Sequence, residues 1–504
     1  MNPTQADNMR PAGSNPLTAT LTVPGPKPLP LLGAHANVYR FVRDPIGYTG
    51  QLFGRYGPIA ALSSEGRTNI YSPHPNCPGT VFAYGPEMVR EVSTCHDIYY
   101  KYPLTGTPPS VTFDSRRTAA LKHFGTGLFG VNGEEHRLRR RLVAPAFHRQ
   151  RVDSYRDVMV QVTQSVLDRW QPDESRDIGE DMRLLTSRVA SATLFGEDLG
   201  ERGLLLANLM RRTLAVQSSP FARLLPFDVP GLPFHRFLDL VNDYDREIRQ
   251  ILARKRLSGA DKGDMLSMLM PACADGLDTA LTDDELLGHT SVFLAAGLET
   301  SANALTWTLF LLSQHPKVMV DLVDELTAVL HGAPPTVAQL ERLPLLDHVI
   351  KESMRVISPV PFNGRVTSHA ASLAGYVLPA GTEVFVSIYH THKMPELYPD
   401  PNLFNPSRWD NIQPSIFEYN PFSAGPRMCI GSQFAMLEMK IVLGMLLQRY
   451  RLELVRSQII DRVGVIVLAP KHGVVMTVHH QDRQFGRGVG GVHGNVHEMV
   501  VLPN

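Results

Sequence analysis

Ten residues in the last fifth of the chain concentrate its chemistry: Phe422-Ser-Ala-Gly425-Pro-Arg427-Met-Cys429-Ile-Gly431. A single cysteine between glycines, with an arginine two positions before it and an apolar, helix-like stretch after it, suits a thiolate held against a flat anionic cofactor. Gly425 and Gly431 lack a Cβ, so the backbone can bend tightly and approach a macrocycle on both sides of the sulfur. Ser432 to Leu447 reads as a helix whose unpaired N–H groups and positive dipole end point toward Cys429 and favour the ionised thiol. The same N–H groups can donate to the sulfur and tune an iron bound to it. Arg427 can reach a haem propionate through charge-assisted hydrogen bonds, and Phe422 would cover the ring near the sulfur. These residues point to an axial ligand of haem iron. A buried structural cysteine in a glycine-rich turn is the alternative.

Three further groups carry polar residues where bland structure does not ask for them. Ala296-Gly297-Leu298-Glu299-Thr300-Ser301 lies inside the apolar stretch Val292 to Leu312, where glycine, an acid and a hydroxyl each lower helix propensity or carry a desolvation cost. Oxygen chemistry and a kinked helix with a satisfied polar pair explain these six residues equally well on their own. Glu352-Ser-Met-Arg355 places two charges on one helix face, a pair that is usually exposed and weak. In Gly133-Glu-Glu-His136-Arg-Leu-Arg-Arg140-Arg141, His136 and Arg140 share a face at a spacing of four, and a solvated basic helix is the plain reading.

The pattern F-x-x-G-x-R-x-C-x-G resembles the haem-binding signature of the cytochrome P450 superfamily, the haem-thiolate monooxygenases, and the other groups follow it in that family's order. The resemblance implies a mainly α protein with a small β region, a long central helix over the haem, and haem b as cofactor with Cys429 as its metal ligand. Phe422, Gly425, Arg427 and Gly431 would frame the haem, and His136, Arg140 and Arg365 would bind its propionates. The motif [AG]-G-x-[DE]-T-[ST] is matched at 296–301. It implies that Gly297 loosens the helix to admit dioxygen, Thr300 hydrogen-bonds the reduced oxygen and Glu299 relays protons from solvent. Glu352, Arg355 and Arg408, the last within Phe404-Asn-Pro-Ser-Arg408-Trp409, would form a buried structural triad that locks the cysteine loop. Ser407 stands where the family often has an acid.

By the same resemblance, Phe113, Phe293, Leu294, Ala296, Val360, Phe362 and Val467 line a mostly apolar pocket for a hydrophobic terpenoid, fatty acid, steroid or polyketide-like substrate. Arg116 and Arg117 are candidates to clamp a carboxylate, with surface charge as the plainer reading. The reaction expected is hydroxylation or epoxidation with dioxygen and electrons supplied from outside. Arg137, Arg139 and Arg141 would border the docking face of a ferredoxin or flavodoxin with its reductase, or of a diflavin reductase. A peroxygenase or isomerase needing no redox partner is the first alternative, against which Glu299 and Thr300 argue. A non-enzymatic haem sensor, which needs neither a proton relay nor an apolar pocket, is the second.

The elements that must position these groups follow from periodicity. Thr282-Asp-Asp-Glu285 has the capping-box pattern, Pro316 follows the apolar stretch, and the roughly 30 residues between would span about 45 Å as one helix. Its internal Glu299 argues against a membrane span. Short strands are expected at 59–62, 81–84, 372–377, 383–388 and within 465–478. With 49 basic and 49 acidic residues in 504, neither a nucleic acid nor a bulk membrane surface is expected as partner. Four scattered cysteines, Cys77, Cys95, Cys273 and Cys429, form no CxxC pair and fit a reducing cytoplasm. The chain is expected to be a cytoplasmic monomer of bacterial type. Residues 1–33 would be a Pro-rich N-terminal segment, 34–482 one haem-thiolate domain and 483–504 a loose, flexible tail.

Overall fold

The computed structural model describes residues 21–30, 32–102, 115, 117–121, 127–196, 201–217, 227–258, 263–270 and 281–503. Helices build most of it, and a small sheet region sits beside them. The elements used below are helices α1 (Gly133–Val143), α2 (Ile178–Phe195), α3 (Asp283–Gln314), α4 (Pro344–Val356) and α5 (Ser432–Arg449). Strands β1 (Ile59–Ala61), β2 (Thr80–Ala83), β3 (Tyr99–Tyr100), β4 (Phe362–Thr367) and β5 (Glu383–Ser387) form one sheet in the order β1-β2-β5-β4-β3. Within it β2 and β5 run parallel and the other pairs antiparallel.

Helix α3 is 32 residues long and begins with the expected capping box, in which Thr282 and Glu285 satisfy each other's backbone N–H groups. Pro316, at the first position of the next helix, cannot extend it. Leu294, Leu298, Leu305, Trp307, Leu309 and Leu311 bury it in the main apolar core. Thr186 of α2 donates its hydroxyl to the Leu298 carbonyl at 2.9 Å, a side-chain rivet between α2 and α3. No helix among the described residues is long and apolar enough to cross a membrane.

The Pro-rich stretch around residues 21–30 is laid against β1: the Ala61 N–H donates to Pro24 O at 2.8 Å, and Leu21 and Val23 are buried. The C-terminal segment differs from expectation. Residues 483–503 are not a loose tail but part of the fold. Val492–His493 pairs in parallel with Gln458–Ile459, Val496, Met499 and Val500 are fully buried, and Arg462 joins Glu498 and Asp44 at 2.6 and 3.1 Å. Gly488, Gly490, Gly491 and Gly494 all have positive φ, so the segment packs through turns and shows no periodicity. Lys393 Nζ holds Met499 O at 2.5 Å, and the Val501 N–H donates to Asn402 O at 2.9 Å. The C-terminus thereby braces the loop that precedes Arg408.

Candidate active site

Cys429 lies two residues before Gly431, the N-cap of α5. Its N–H donates to Phe422 O at 2.8 Å, closing the loop between them, and its sulfur opens into a cavity with about 1580 Å³ not filled by atoms, mouth included. Gly425 has φ +68°, and a Cβ there would run into the Ser93 carbonyl of helix Pro86–Thr94. Glycine is therefore required at 425 on two counts. Gly431 differs from the expected pattern, because its φ of −90° suits any residue and a Cβ would meet only Phe147 at 3.8 Å. Burial pushes the Cys429 thiol up, and the Gly431 N–H, Lys101 and Arg140 pull it back only in part.

Phe422, Ser423, Arg427, Met428, Cys429, Ile430 and Gly431 share the cavity wall with Lys101, His136 and Arg140. Four basic side chains thus line it, and among the described lining residues there is no Asp or Glu. Burial and one another's charge hold them down: Arg427 falls to about 9, with Arg365 and Arg140 adding to its burial. Lys101 falls to about 7 under burial, Arg365 and Arg427, and His136 to about 3 under burial, Arg427 and Arg140. Arg365 is buried behind this wall on β4 and is not a lining residue, yet its charge reaches both Lys101 and Arg427. Basic groups held this close without acids, two of them arginines, leave the wall short of negative charge, and the two propionates of a haem would supply it. Arg427 is partly committed already, donating to Leu128 O at 2.8 Å, to Val131 O and to Asn132 Oδ1 at 2.6 Å.

The residues thus fit a haem: the basic cluster would take its carboxylates and Cys429 would ligate its iron. Lys101 was not legible from motifs. It follows Tyr99 and Tyr100 in plain sequence, and only the pairing of β3 with β4 (Tyr99 opposite Thr367, Tyr100 opposite Val366) brings it near Arg365.

Glu352, Arg355 and Arg408 come together. Arg355 grips Glu352 through two bonds of 2.8 and 2.9 Å, Arg408 Nε reaches the same carboxylate at 3.3 Å, and Trp409 Nε1 and the Asn405 N–H complete its shell at 3.1 and 3.0 Å. Arg355 also donates to the carbonyls of His392, Pro401 and Leu403. His392, unforeseen in the sequence, links this framework to the cysteine loop: the Asn420 N–H donates to its Nε2 at 3.0 Å, and its Nδ1 meets Ser358 Oγ at 3.2 Å. Burial, with Arg355 and Lys393 nearby, keeps it neutral down to about pH 3.

On α3, Phe293, Ala296, Gly297, Thr300, Ser301 and Ala304 face the cavity, the stripe that a 3.6-residue period produces. The helix is unbroken at Gly297, which packs beside Ala190 of α2. Thr300 donates its hydroxyl to Ala296 O at 2.7 Å. Glu299 is half-buried and close enough to bias Arg183, which is paired with Glu180 at 2.7 Å.

Not every expected pocket residue lines the cavity. Phe293, Ala296 and Val360 do. Leu294 does not, because one helical step from Phe293 turns it into the core. Phe362 does not, because on β4 its neighbour Asn363 faces the cavity and alternation sends Phe362 to the opposite face, among Phe41, Phe82 and Phe385. Val467 also stands outside the lining; its neighbour Leu468 is buried, with Trp307 Nε1 on its carbonyl at 3.0 Å. Phe113 and Arg116 lie outside the described residues. Arg117 is bound to Asp228 and Asp239 at 2.8 and 3.0 Å, away from the cavity lining. Of the expected docking arginines, Arg139 is turned inward onto Glu285 of α3, while Arg137 pairs with Glu134 at 2.6 Å.

A profile of the family described as "Cytochrome P450" matches residues 23–476. The chain is a cytochrome P450. A P450 of this kind is expected to carry haem iron on a cysteine thiolate, and monooxygenases of the family use dioxygen and redox partners. Over 73% of its length the chain is 32% identical to "Cyclooctat-9-en-7-ol 5-monooxygenase" of Streptomyces melanosporofaciens, covering 79% of that protein. It is 30% identical to "Cytokinin hydroxylase" of Arabidopsis thaliana over 79% of this chain and 78% of the other. Among solved structures, "Retinoic acid bound cyanobacterial CYP120A1" superposes with a TM-score of 0.76 at 25% identity, spanning 92% of this chain and all of that one.

Proposed function

We propose that this P450 is a haem b monooxygenase that hydroxylates a hydrophobic terpenoid, using dioxygen and electrons from a separate redox partner. The observation that carries the reading is one wall on which the Cys429 sulfur stands beside four basic groups without an acid, continuous with an apolar wall of Phe293, Ala296 and Val360. When bound, the haem supplies dioxygen activation and oxygen transfer to carbon. Cys429 would be its metal ligand, and Lys101, His136, Arg140, Arg365 and Arg427 would hold its carboxylates. Thr300, its hydrogen committed to Ala296 O, keeps lone pairs toward the cavity and can accept a proton-bearing donor there. Glu299, half-exposed one residue earlier, can carry protons from solvent toward that hydroxyl. Phe293, Ala296 and Val360 exclude water and leave an apolar substrate little to bond, so shape and hydrophobicity govern its binding. The terpenoid assignment draws on the Streptomyces relative, whose name specifies a cyclic alcohol, and on the retinoic acid of the structural neighbour. The test supplies terpenoid alcohols, a surrogate ferredoxin with its reductase, and heavy-isotope dioxygen. One labelled oxygen in a hydroxylated product is expected. Product formed without external electrons, or without label, would overturn the reading.

A further inference from the structure

One polar side chain on the apolar side of the cavity has no part in the mechanism above. Asn363 on β4 is the one carboxamide among the described lining residues, and its side chain has no hydrogen-bond partner among the described residues. Backbone pairing fixes its place: Asn363 lies opposite Val386 of β5, and Phe362 beside it lies opposite Ser387. Strand alternation fixes its direction, because Phe362 and Gly364 turn to the other face, where a Cβ on Gly364 would meet Tyr71 at 3.0 Å. Val360 and Ile388, which line the cavity within three residues of Asn363 or of its partner Val386, are apolar. Other uncharged donors of the cavity are spent: Thr193 donates to Val189 O at 2.8 Å and Thr300 to Ala296 O at 2.7 Å. The haem carboxylates are served by the charged groups Lys101, Arg140, Arg365 and Arg427, so they do not call for a neutral amide. Water can satisfy Asn363 in the free protein, but a wholly apolar substrate that displaces the water leaves the amide unpaired, at a desolvation cost. Asn363 therefore asks for a polar atom on the substrate.

We propose that Asn363 is a specificity-determining residue that binds a hydroxyl group the substrate already carries, with Nδ2 donating to the hydroxyl oxygen and Oδ1 accepting the hydroxyl hydrogen. The inference rests on the hydroxylation reading of the proposed function and deepens it. A carboxamide offers a donor and an acceptor side by side; a hydroxyl answers both, and a hydrocarbon answers neither. Because β4 is an inner strand, paired with β5 on one side and β3 on the other, the amide is a fixed point. A rigid ring system tethered there by one oxygen presents a set carbon to the reacting side of the cavity. The enzyme is thereby placed second in a sequence of reactions. The alcohol must come from a reaction that adds water to a carbocation or from an earlier hydroxylation, and the product is a diol.

The test compares matched pairs of a cyclic terpenoid alcohol and the hydrocarbon lacking only that hydroxyl, bound to the haem-loaded protein and followed by spin-state titration and by calorimetry. The readout is the ratio of the two dissociation constants, since differences in hydrophobicity cancel between the natural chain and its variants. Asn363→Leu should shift the ratio about tenfold toward the hydrocarbon, the worth of a hydrogen bond and of the amide it leaves unpaired. Asn363→Ala, which cannot crowd the sheet, should shift it the same way. Haem content and the reduction potential without substrate should stay as in the natural chain. With the alcohol as substrate, the natural enzyme should place the new oxygen at one carbon and Asn363→Ala at several. An unchanged ratio in both variants would overturn the proposal. Equal weakening of alcohol and hydrocarbon together with a shifted potential would also overturn it and give Asn363 to the haem carboxylates. A natural chain that binds neither member of any pair would contradict the proposed function itself, and this inference with it.

Discussion

The stretch of cavity wall around Cys429 is fixed by bonds from distant parts of the chain: Ser93 against Gly425, Leu128 and Asn132 on Arg427, and His392 on Asn420. The stretch formed by Phe293, Ala296 and Val360 is tied through its backbone, with the Leu468 N–H on Pro359 O at 2.8 Å and the Ile388 N–H on Pro361 O at 2.9 Å, while the side chains it presents to the cavity are apolar and set by packing. Polar geometry tolerates little substitution, whereas apolar walls can be repacked at modest cost. The first kind of wall can therefore be common to many P450s, and the second is where one P450 can differ from another. Substitutions should separate the two.

The largest effect is expected at Glu352→Ala, which strands Arg355 and Arg408 as buried cations. Breaking a buried pair from one side costs about 3–5 kcal/mol, a large part of typical domain stability, so denaturant titration should show a severe loss and haem content should fall. Gly425→Ala comes next. It meets both the positive φ and the Ser93 carbonyl, and should cost about 2 kcal/mol or more, whereas Gly431→Ala, without either obstacle, should leave the stability of the haem-free protein within about 1 kcal/mol.

A pH effect of intermediate size should come from His392. Its folded pKa of about 3 lies below the ordinary imidazole value, so the unfolded chain binds the proton first. The stability it contributes is complete above about pH 6.5 and is lost as pH falls from there toward 3. Chemical denaturation at pH 7 and at mildly acidic pH should show this loss, and His392→Asn should reduce it. On the apolar wall, Phe293→Ala should change which carbon is oxidised and weaken substrate binding about tenfold, read by spin-state titration, with about 1–2 kcal/mol lost in stability because the side chain is only partly buried. The smallest effect is expected at Arg117→Ala. Its ion pairs with Asp228 and Asp239 are exposed, worth about 0–1 kcal/mol, and binding of fatty acids should not weaken.

The same contrast explains what the sequence disclosed. The capped helix α3 was legible because its capping box and the proline beyond it stand in plain sequence, and the meeting of Arg355 and Arg408 on Glu352 could be read only through an ordered set of polar motifs. Leu294 and Phe362 were placed in the pocket from proximity in sequence, but the helical and strand periods turn each away from the cavity while Phe293 and Asn363 face it. Lys101 and His392 depend on chain pairing across more than two hundred and fifty residues and on loop packing, which no local pattern encodes. The segment after 483 was misjudged for a different reason. Its glycines hid the apolar spacing of Val492, Val496, Met499 and Val500, which the positive-φ turns bring into the core.

The central claim is that the Cys429 sulfur ligates a haem whose carboxylates answer the basic cluster. The most direct test is the difference spectrum of the purified protein reduced with dithionite and exposed to carbon monoxide. A strongly red-shifted Soret band, abolished in Cys429→Ala, is the predicted result. A spectrum typical of histidine-ligated haem, or folded protein that takes up no haem at all, would contradict it.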